Sequence, residues 1–333
     1  MQGPYLHSIR AGLVWLYGYL FPLETSLEME KSDIIDIIIP AHNEELYLGG
    51  LLGRLKDYGF PSNCITVVDV CSKDKTKEIA VSHGVNIVSL SAKACPSVAR
   101  NIGVKATDRE VLVFLDADIL VTASWVEYLG KLSIGQSSIY GDTYNLSLNP
   151  GWIERYWFTE LLDRKKSYIN GGNLLMSRSV FEKIGGFDET LETGEDVDFS
   201  EKARKLGIEI QFEKDLYVHH EGNPKGMSSF VRREKWHGAG DLRTIRDFIT
   251  STVAVASALF VLLHLVVITL LLFAPYLGLA LISAIPALCM LVVVLKFGLK
   301  RPIKFLLLSL ICYLYLLGRS FSIFAKVKKT IVK

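Results

Sequence analysis

The stretch VFLDADILV, residues Val113–Val121, closes an apolar run with two carboxylates one residue apart, Asp116 and Asp118. It belongs to the last of four apolar runs of strand length, which amphipathic runs of helical length separate. Strands that alternate with helices in this way form a mostly parallel sheet with helices on both faces. The sequence therefore predicts a doubly wound α/β domain. The four runs are IIDIIIP (Ile34–Pro40), CITVVDV (Cys64–Val70), VNIVSL (Val85–Leu90) and EVLVFLDAD (Glu110–Asp118).

Polar side chains stand where three of these predicted strands end. Asn43 and Glu44 follow the first strand, and Asp69 lies at the end of the second. Asp116 and Asp118 end the fourth. In an open α/β sheet, ligands bind outside the carboxyl ends of the strands, so these side chains are candidates for one shared site. Mg²⁺ and Mn²⁺ bind one or two carboxylates together with substrate phosphates, and the paired aspartates suit that task.

The chain lacks the glycine-rich loops that usually hold a phosphate group. Gly49, Gly50 and Gly53 do not form GxGxxG and fall inside the first predicted helix, and there is no Walker-type lysine loop. A dinucleotide-dependent dehydrogenase is therefore disfavoured, and a phosphate-bearing ligand would need a metal ion or basic side chains. The formal net charge is only +2, from 37 basic and 35 acidic residues, which does not indicate nucleic acid as a partner.

Three apolar segments follow the α/β region and predict a membrane region. Ser251–Phe273 carries no charge, Leu277–Leu295 is the second segment, and Phe305–Phe324 is a third that contains Arg319. Each is long enough to cross roughly 30 Å of hydrocarbon as a helix. A shorter apolar segment, Ile9–Leu23, predicts a helix in the membrane interface. The expected organisation is an N-terminal interfacial segment over 1–30, the α/β domain over 31–245, and a region with two or three membrane crossings over 246–333.

Basic residues predict the orientation of this membrane region. Cytoplasmic loops carry an excess of lysine and arginine, and such residues precede the first apolar segment and fill the loop after the second: Arg243, Arg246, Lys296, Lys300, Arg301 and Lys304. The α/β domain is therefore expected to face the cytoplasm. Four lysines near the end of the chain disagree if the third segment crosses, because they would lie on the opposite side: Lys326, Lys328, Lys329 and Lys333. Either that segment lies in the interface or the charge rule does not hold here.

A second acidic cluster begins a predicted helix in TGEDVDFSEKARKLG, residues Thr193–Gly207. Acidic residues in the first turn of a helix often only complement the helix dipole, and Glu195, Asp196 and Asp198 suit that role. The sequence directly upstream contains two glycine pairs, which allow close backbone approaches that a plain helix start does not require. The cluster is therefore also a candidate for catalysis. The glycines are Gly171, Gly172, Gly185 and Gly186.

Six stretches of the sequence, taken together in their order and spacing, form a more specific signal than any one of them alone. They are IIIPAHNEE (Ile37–Glu45), the segment around Asp69, VARNIGVKA (Val98–Ala106), VFLDADI (Val113–Ile119), GGNLLMSRSVFEKIGGFDE (Gly171–Glu189) and GEDVDFSEKARKLG (Gly194–Gly207). In this order they resemble the motifs of the family 2 glycosyltransferases, which have the GT-A fold. The likeness covers Asp33 to Asp241. RREKW, residues Arg232–Trp236, resembles a further element of that family, and VHHEG resembles a histidine segment that often precedes it.

The resemblance implies a role for each matching residue. Asp116 and Asp118 match the DxD motif, with Asp118 as the more direct ligand of a divalent metal ion, Mg²⁺ or Mn²⁺. Asp196 matches the general base that deprotonates the acceptor hydroxyl, and Glu195 is its acidic neighbour. His220 is a further candidate metal ligand. The residues expected to contact the nucleotide sugar are Pro40, Ala41, Asn43, Glu44, Asp69, Arg100, Asp116, Arg232, Lys235 and Trp236.

The expected function is that of an inverting, metal-dependent glycosyltransferase of the hexosyltransferase type. The donor would be a nucleotide-diphosphate sugar, and the acceptor would be lipid-linked or membrane-near, or a glycan, at the cytoplasmic face of a membrane. Two alternatives stay open: a processive polysaccharide synthase, and an inactive membrane-tethered module that binds a nucleotide sugar. RREKW lacks the glutamine typical of processive synthases, and an inactive module would have lost Asp118 or Asp196. DVCSKD departs from the family's DDGSxD at Val70 and Cys71, which leaves the preferred base open.

Overall fold

The computed structural model describes residues 33–131, 137–142, 144–162, 167–238, 240–242 and 244–331. The interfacial helix expected over residues 9–23 lies outside these ranges. The described residues form an α/β domain followed by the helices of the membrane region. The strands of the described residues are β1 (Ile35–Ala41), β2 (Ile65–Val70), β3 (Asn86–Leu90), β4 (Val111–Leu115), β5 (Ile119–Leu120), β6 (Ser138–Gly141), β7 (Tyr144–Asn145), β8 (Asn173–Ser177), β9 (Glu209–Phe212) and β10 (Val218–His220).

Seven of these strands form the central sheet, in the order β3-β2-β1-β4-β8-β6-β9. Strands β1 to β4 pair in parallel, as do β6 and β9, whereas β8 is antiparallel to both of its neighbours. The predicted mostly parallel sheet is therefore confirmed. Strand β4 ends at Leu115, so Asp116 and Asp118 lie just beyond the strand rather than within it. Every residue of β2 and β4 is buried, as expected of strands with helices on both faces.

A second, three-stranded sheet has the order β5-β10-β7. Strand β10 is antiparallel to β5 and parallel to β7. Its register pairs His220 with Ile119, directly after the DxD segment. The small sheet therefore places β10 and β7 next to the carboxyl end of β4, although both strands come later in the sequence.

Helices cover both faces of the central sheet. In α1 the buried residues Leu48, Leu51, Leu52 and Leu55 have helical spacing and pack in the core on one face. On the other face α3 approaches β1 closely, since a Cβ at Gly103 would lie 2.4 Å from the Ile38 side chain. The helices of this domain are α1 (Leu48–Asp57), α2 (Thr76–Ser82), α3 (Pro96–Lys105), α4 (Ala123–Lys131), α5 (Thr159–Leu162, preceded by a π-helical turn over Glu154–Phe158), α6 (Arg178–Ile184), α7 (Glu195–Lys205), α8 (Met227–Gly238) and α9 (Ile245–Thr250). Short 3₁₀ turns lie at Ser62–Cys64, Lys214–Leu216 and Gly240–Leu242.

The membrane region consists of α10 (Thr252–Phe273), α11 (Pro275–Leu281), α12 (Ala284–Phe297) and α13 (Pro302–Ile331). The described residues contain three segments long and apolar enough to cross a membrane, Thr252–Phe273, Pro275–Phe297 and Pro302–Phe324, which confirms the predicted apolar helices. The second of them is divided between α11 and α12. Half of the apolar stretch of the third is buried inside the protein, against 17% for each of the first two.

Candidate active site

Asp116 lies just beyond β4, and other side chains hold both of its carboxylate oxygens. Its Oδ1 lies 2.8 Å from Nη2 of Arg100, and its Oδ2 accepts a 2.6 Å hydrogen bond from the Tyr144 hydroxyl. Gly172 allows this arrangement, because a Cβ there would lie 2.0 Å from the carboxylate. Burial alone would raise the pKa of Asp116, but Arg100 and Tyr144 hold it below its ordinary value.

Arg100 joins the two acidic segments that the sequence places far apart. Its side chain is 3% exposed, and Nη1 lies 2.8 Å from Oε1 of Glu195 while Nη2 contacts Asp116. The guanidinium also lies 5.4 Å from the centre of the Phe187 ring. Although burial disfavours the charged form, Asp116 and Glu195 raise the pKa of Arg100, so its positive charge is permanent. The guanidinium therefore connects the DxD segment with the start of α7.

The Asp118 side chain lies next to that of His220, which belongs to β10 of the small sheet. Its Oδ2 lies 3.5 Å from His220 Nε2, and both side chains are less than one-fifth exposed. The His220 ring lies 4.7 Å from that of Tyr144, and its buried Nδ1 has no hydrogen-bond partner among the described residues. Burial raises the pKa of Asp118, with His220 acting against the rise and Asp116 adding to it. A Cβ at Gly222 would lie 1.8 Å from Asp118 Oδ2, so glycine is needed to leave room for the carboxylate.

The residues at this edge fit a divalent cation that is shared with a substrate phosphate. Among the described residues, no group of three or more His, Cys, Asp or Glu side chains is placed to hold a metal ion by itself. Asp116 is engaged with Arg100 and Tyr144, whereas Asp118 and His220 lie side by side. The Asp118 carboxylate, with His220 beside it, forms an incomplete set, and Mg²⁺ or Mn²⁺ is usually held by one or two carboxylates while a substrate phosphate supplies further oxygens.

Hydrogen bonds join the loop after β1 to the loop after β2. The backbone N–H of Asn43 donates to Ser72 Oγ, and Asn43 Oδ1 accepts from the Lys73 backbone. The Glu44 backbone donates to Thr76 Oγ1. Burial and the charges of Asp118, Asp116 and Asp74 raise the pKa of Glu44 to about 8.

The altered DVCSKD loop keeps Asp69 in place. Asp69 is buried, and its Oδ1 accepts a hydrogen bond from the backbone of Ser72. Cys71 adopts a φ of 54°, a left-handed conformation that a glycine would adopt without strain. Its side chain is half-buried rather than buried. Pro40 and Ala41 lie at the end of β1, beside Asp69 in the sheet.

Asp196 stands at the start of α7, next to the Arg100 contact of Glu195. Burial, together with the Glu195 charge, raises the pKa of Asp196 to about 7. Among the described residues, one of its oxygens accepts a hydrogen bond from the adjacent Val197 backbone N–H, at 2.9 Å. Gly194 precedes the helix with a φ of 80°. A carboxyl group with this pKa and few partners is suited to take a proton near neutral pH.

The basic residues of α8 lie in different environments in the structure. Arg232 and Lys235 are exposed, and Trp236 is 50% exposed and contacts the His237 ring. Arg233 instead lies over the Phe158 ring at 4.9 Å, and its charge opposes the rise in the pKa of Asp118.

Sequence reasoning therefore named the neighbours of Arg233 and missed Arg233 itself. It also missed Tyr144. The 3.6-residue periodicity of α8 could have shown that Arg233 and the two exposed basic residues lie on different faces, whereas Tyr144 carries no comparable signal.

Two sequence-family models match the chain. That of Glycosyl transferase family 2 matches residues 36–185, and that of Glycosyl transferase family group 2 matches residues 145–318, just over half of the chain. Glycosyltransferase AglE of Haloferax volcanii is 27% identical over 207 residues, which cover 58% of this chain and 68% of that protein. The pre-mycofactocin glycosyltransferase of Mycobacterium tuberculosis is 22% identical over 61% of this chain, but the match spans only 46% of its own length.

A solved structure resembles the chain over almost its whole length. The mannosyltransferase PcManGT from Pyrobaculum calidifontis, in complex with GDP-Man and Mn²⁺, superposes with a TM-score of 0.55 and 17% identity. The likeness covers 97% of this chain and 95% of that one. At this identity the likeness shows the fold alone. The matched length includes the membrane region as well as the α/β domain.

Proposed function

The chain belongs to the family 2 glycosyltransferases, and we propose that it transfers a hexosyl group from a nucleotide-diphosphate sugar to a lipid-linked or membrane-near acceptor at the cytoplasmic face of a membrane. Its fold is GT-A. One observation carries the proposal: the buried Arg100 guanidinium contacts Asp116 and Glu195 at once. The DxD segment and the candidate base Asp196 therefore belong to a single site.

The donor binds, in this proposal, at the carboxyl ends of β1, β2 and β4. Asn43, Glu44 and Asp69 lie in the interlocked loops around the nucleoside, with Pro40 and Ala41 beneath them. Arg100 provides a permanent positive charge beside the diphosphate. Asp118 and His220 would hold Mg²⁺ or Mn²⁺, which when bound supplies charge neutralisation for the leaving diphosphate. The neighbour from Pyrobaculum calidifontis carries GDP-Man and Mn²⁺, which supports this choice of donor class and cation.

Asp196 acts at the acceptor side of the site. Its carboxylate takes the proton of the acceptor hydroxyl, whose oxygen then attacks the anomeric carbon. The bond from that carbon to the diphosphate oxygen breaks, and the nucleoside diphosphate leaves with its electron pair. One base on the face opposite the leaving group gives a single displacement, so the configuration at the anomeric carbon is inverted. Glu195, engaged with Arg100, keeps the first turn of α7 in register with the donor.

A membrane-near acceptor is supported by the surroundings of the site. Arg233, whose charge reaches Asp118, lies over Phe158. Phe158 in turn belongs to an aromatic cluster shared with the membrane helices. An acceptor whose hydroxyl reaches Asp196 could therefore keep an apolar portion in the lipid nearby. Arg232, Lys235 and Trp236 are exposed on another face of α8 and are available to contact a glycan or a headgroup.

The test is release of nucleoside diphosphate by the detergent-purified full chain. UDP-, GDP- and dTDP-sugars are each supplied with Mn²⁺ or Mg²⁺ and a lipid extract. Metal-dependent turnover with one donor is expected, and Asp196→Asn should abolish it. Asp198→Asn is the matched control, because Asp198 lies in the same helical turn but pairs with Lys202 at 2.8 Å.

The other outcomes of this test decide between the alternatives. Donor binding without turnover in the unmodified chain would favour a binding module over an enzyme. Products that carry many sugars would favour a processive synthase. Retention of the anomeric configuration in the product would contradict the single displacement.

A further inference from the structure

Helix α13 contacts the α/β domain at both ends of its apolar stretch. Near its start, Lys304 forms an ion pair with Glu160, and Lys300 in the preceding loop pairs with the same carboxylate at 2.5 Å. Near its end, Arg319 Nε lies 3.0 Å from Oε2 of Glu234 in α8. Glu160 and Glu234 are only 4% and 2% exposed. Both carboxylates are therefore buried within the protein, and each is paired with a basic group of α13 or of the loop before it.

The contact continues along the helix between these ion pairs. The Tyr315 ring lies 4.9 Å from that of Trp157. Gly318 lets α8 approach closely, because a Cβ there would lie 2.7 Å from the Glu234 side chain and 2.8 Å from the Val231 carbonyl oxygen. The α/β domain thus contacts α13 near Lys304 and again between Tyr315 and Arg319.

Distances along the helix conflict with a membrane crossing by α13. Lys304 and Arg319 are 15 residues apart, which is about 22 Å along a helix axis, and the hydrocarbon core is roughly 30 Å thick. If α13 crossed, either Glu160 or Glu234 would lie deep in the hydrocarbon. Helix α8 also carries the exposed Arg232 and Lys235, and charged groups exposed at that depth are costly.

The first two apolar segments behave differently. Helix α10 leaves the α/β domain, and the turn that follows it is open, with Phe273 83% and Tyr276 87% exposed. Helix α12 then returns, because Phe297 at its end lies 5.1 Å from the Trp157 ring of the α/β domain. These segments therefore form a hairpin with one end at the α/β domain and the other end far from it.

The surface of α13 has the pattern of a helix that lies along a membrane. Its exposed large apolar residues lie on one stripe in two groups, with Ile303, Leu306 and Leu310 in the first part of the helix and Phe321 and Phe324 further along it. Its other faces are buried within the protein, as at Leu308, Ile311, Cys312 and Leu316. An apolar stripe that is continuous with two membrane-spanning segments is suited to contact acyl chains near the headgroups.

We propose that the part of the chain described by the structure crosses the bilayer twice, and that α13 lies in the membrane interface on the side of the catalytic domain. Its exposed stripe then faces the lipid, and its opposite faces join the catalytic domain to the hairpin. This arrangement places the basic flanks of the hairpin and the last turns of α13, which carry Lys326, Lys328 and Lys329 in the sequence, on one side of the membrane. The conflict among the basic residues disappears, because all of them then follow the positive-inside rule.

The test is a protease-protection experiment on the full chain with an epitope tag after Lys333. The protein is reconstituted into sealed vesicles of phosphatidylcholine and phosphatidylglycerol, and an excess of protease is added outside. The tag is then captured, and the size of every tagged species is measured. Digestion after detergent lysis shows that the tag can be removed once it is accessible.

The proposal expects every tagged species that survives in sealed vesicles to be either full-length or cut at the hairpin turn between Phe273 and Tyr276. Chains whose catalytic domain faces outward lose the tag together with that domain, and chains of the other orientation keep the tag and expose the turn. A protected, tagged fragment that begins elsewhere, near Ser251 or in the loop before α13, would overturn the proposal, because tag and catalytic domain would then lie on opposite sides. A second tag inserted between Phe273 and Tyr276 should show the opposite protection. The readout does not depend on activity, so its outcome is distinct from that of the proposed reaction.

Discussion

Asp196 has a carboxyl group that titrates in the physiological range. Its pKa is about 7, raised by burial and by the Glu195 charge. A general base works in its deprotonated form. Below pH 7 the carboxyl group is mostly protonated and inactive, and above pH 7 it is mostly ionised.

We therefore predict that kcat/KM rises about tenfold per pH unit up to about pH 7 and then levels off. The measurement is the initial rate at low donor concentration, as a function of pH. Asp198→Asn should keep this profile with the same midpoint, whereas Asp196→Asn should leave too little activity to measure it. If kcat/KM of the unmodified enzyme did not change with pH, Asp196 would not be the general base.

Gly222 supports the candidate metal site by having no side chain. A Cβ there would lie 1.8 Å from Asp118 Oδ2, so Gly222→Ala must displace the carboxylate. Loss of the oriented carboxylate should weaken Mn²⁺ binding by at least tenfold and lower the metal-dependent rate by a similar factor, a loss of about 1.4 kcal/mol. Gly226→Ala is the matched control, because its Cβ would meet only Ser229 Oγ at an ordinary 3.9 Å.

The Gly222 prediction has a direct readout in the binding of Mn²⁺ itself. Calorimetric titration of each variant with Mn²⁺ in the presence of nucleoside diphosphate measures it without turnover. Equal affinities for the Gly222 and Gly226 variants would show that Asp118 does not hold the ion.

At the scale of helices, α8 and α13 are joined by small residues and a buried ion pair. Gly318 in α13 meets the backbone of α8, and Ser322 Oγ donates a 2.6 Å hydrogen bond to the Lys235 carbonyl. Glu234 lies between Arg233 on one side and Arg319 on the other. The charge of Arg233 acts on the Asp118 carboxyl group. A shift of α13 would therefore be transmitted to the active site through α8.

We predict that Gly318→Ala destabilises the protein and lowers its activity. The added methyl group would meet the Val231 carbonyl at 2.8 Å, and overpacking against backbone typically costs about 1–3 kcal/mol. Thermal unfolding in detergent, followed by tryptophan fluorescence, measures the change. Gly53→Ala in α1 is the control, because nothing lies within 4 Å of its Cβ, and it should stabilise the protein by about 0.5–1 kcal/mol. A Gly318 variant as stable as this control would contradict the tight α8–α13 contact.

At the scale of the whole molecule, the catalytic domain and the membrane region share a core. Trp157 and Phe230 of the catalytic domain pack in one cluster with Phe260, Val293 and Leu316 of the membrane helices. Trp157 is 1% exposed and Phe230 is fully buried. The two regions therefore stabilise each other, and neither surface is suited to water alone.

We predict that a fragment ending at Thr244 does not remain an active monomer. Without α10 to α13, the cluster around Trp157 and Phe230 loses its apolar cover, and an exposed patch of this kind promotes aggregation. Size-exclusion chromatography and the donor assay measure the two effects. A chain that ends at Phe324 is the control and should behave as the full chain does, since every helix contact named above is retained. A soluble, monomeric fragment with full activity would show that the membrane region serves only as an anchor.

Local patterns in the sequence were sufficient for the fold and for the ends of the strands. Alternating apolar and amphipathic runs predict the sheet, and they place Asp116 and Asp118 at the end of its fourth strand in the sequence. The apolar length of each C-terminal segment predicted the helices of the membrane region. These features depend on periodicity, length and composition, which are properties of neighbouring residues.

Only the tertiary structure decided which of these groups meet. Arg100 joins Asp116 to Glu195, and β10 brings His220 to Asp118, because the order of strands in the sheets places distant segments side by side. The sequence left open whether the third apolar segment crosses the membrane, since length and apolar composition are the same for a helix that spans and one that lies flat. The ion pairs near both ends of the apolar stretch of α13 are the contacts from which we propose that it lies flat. They depend on how helices pack across long separations in the chain, which no local pattern encodes.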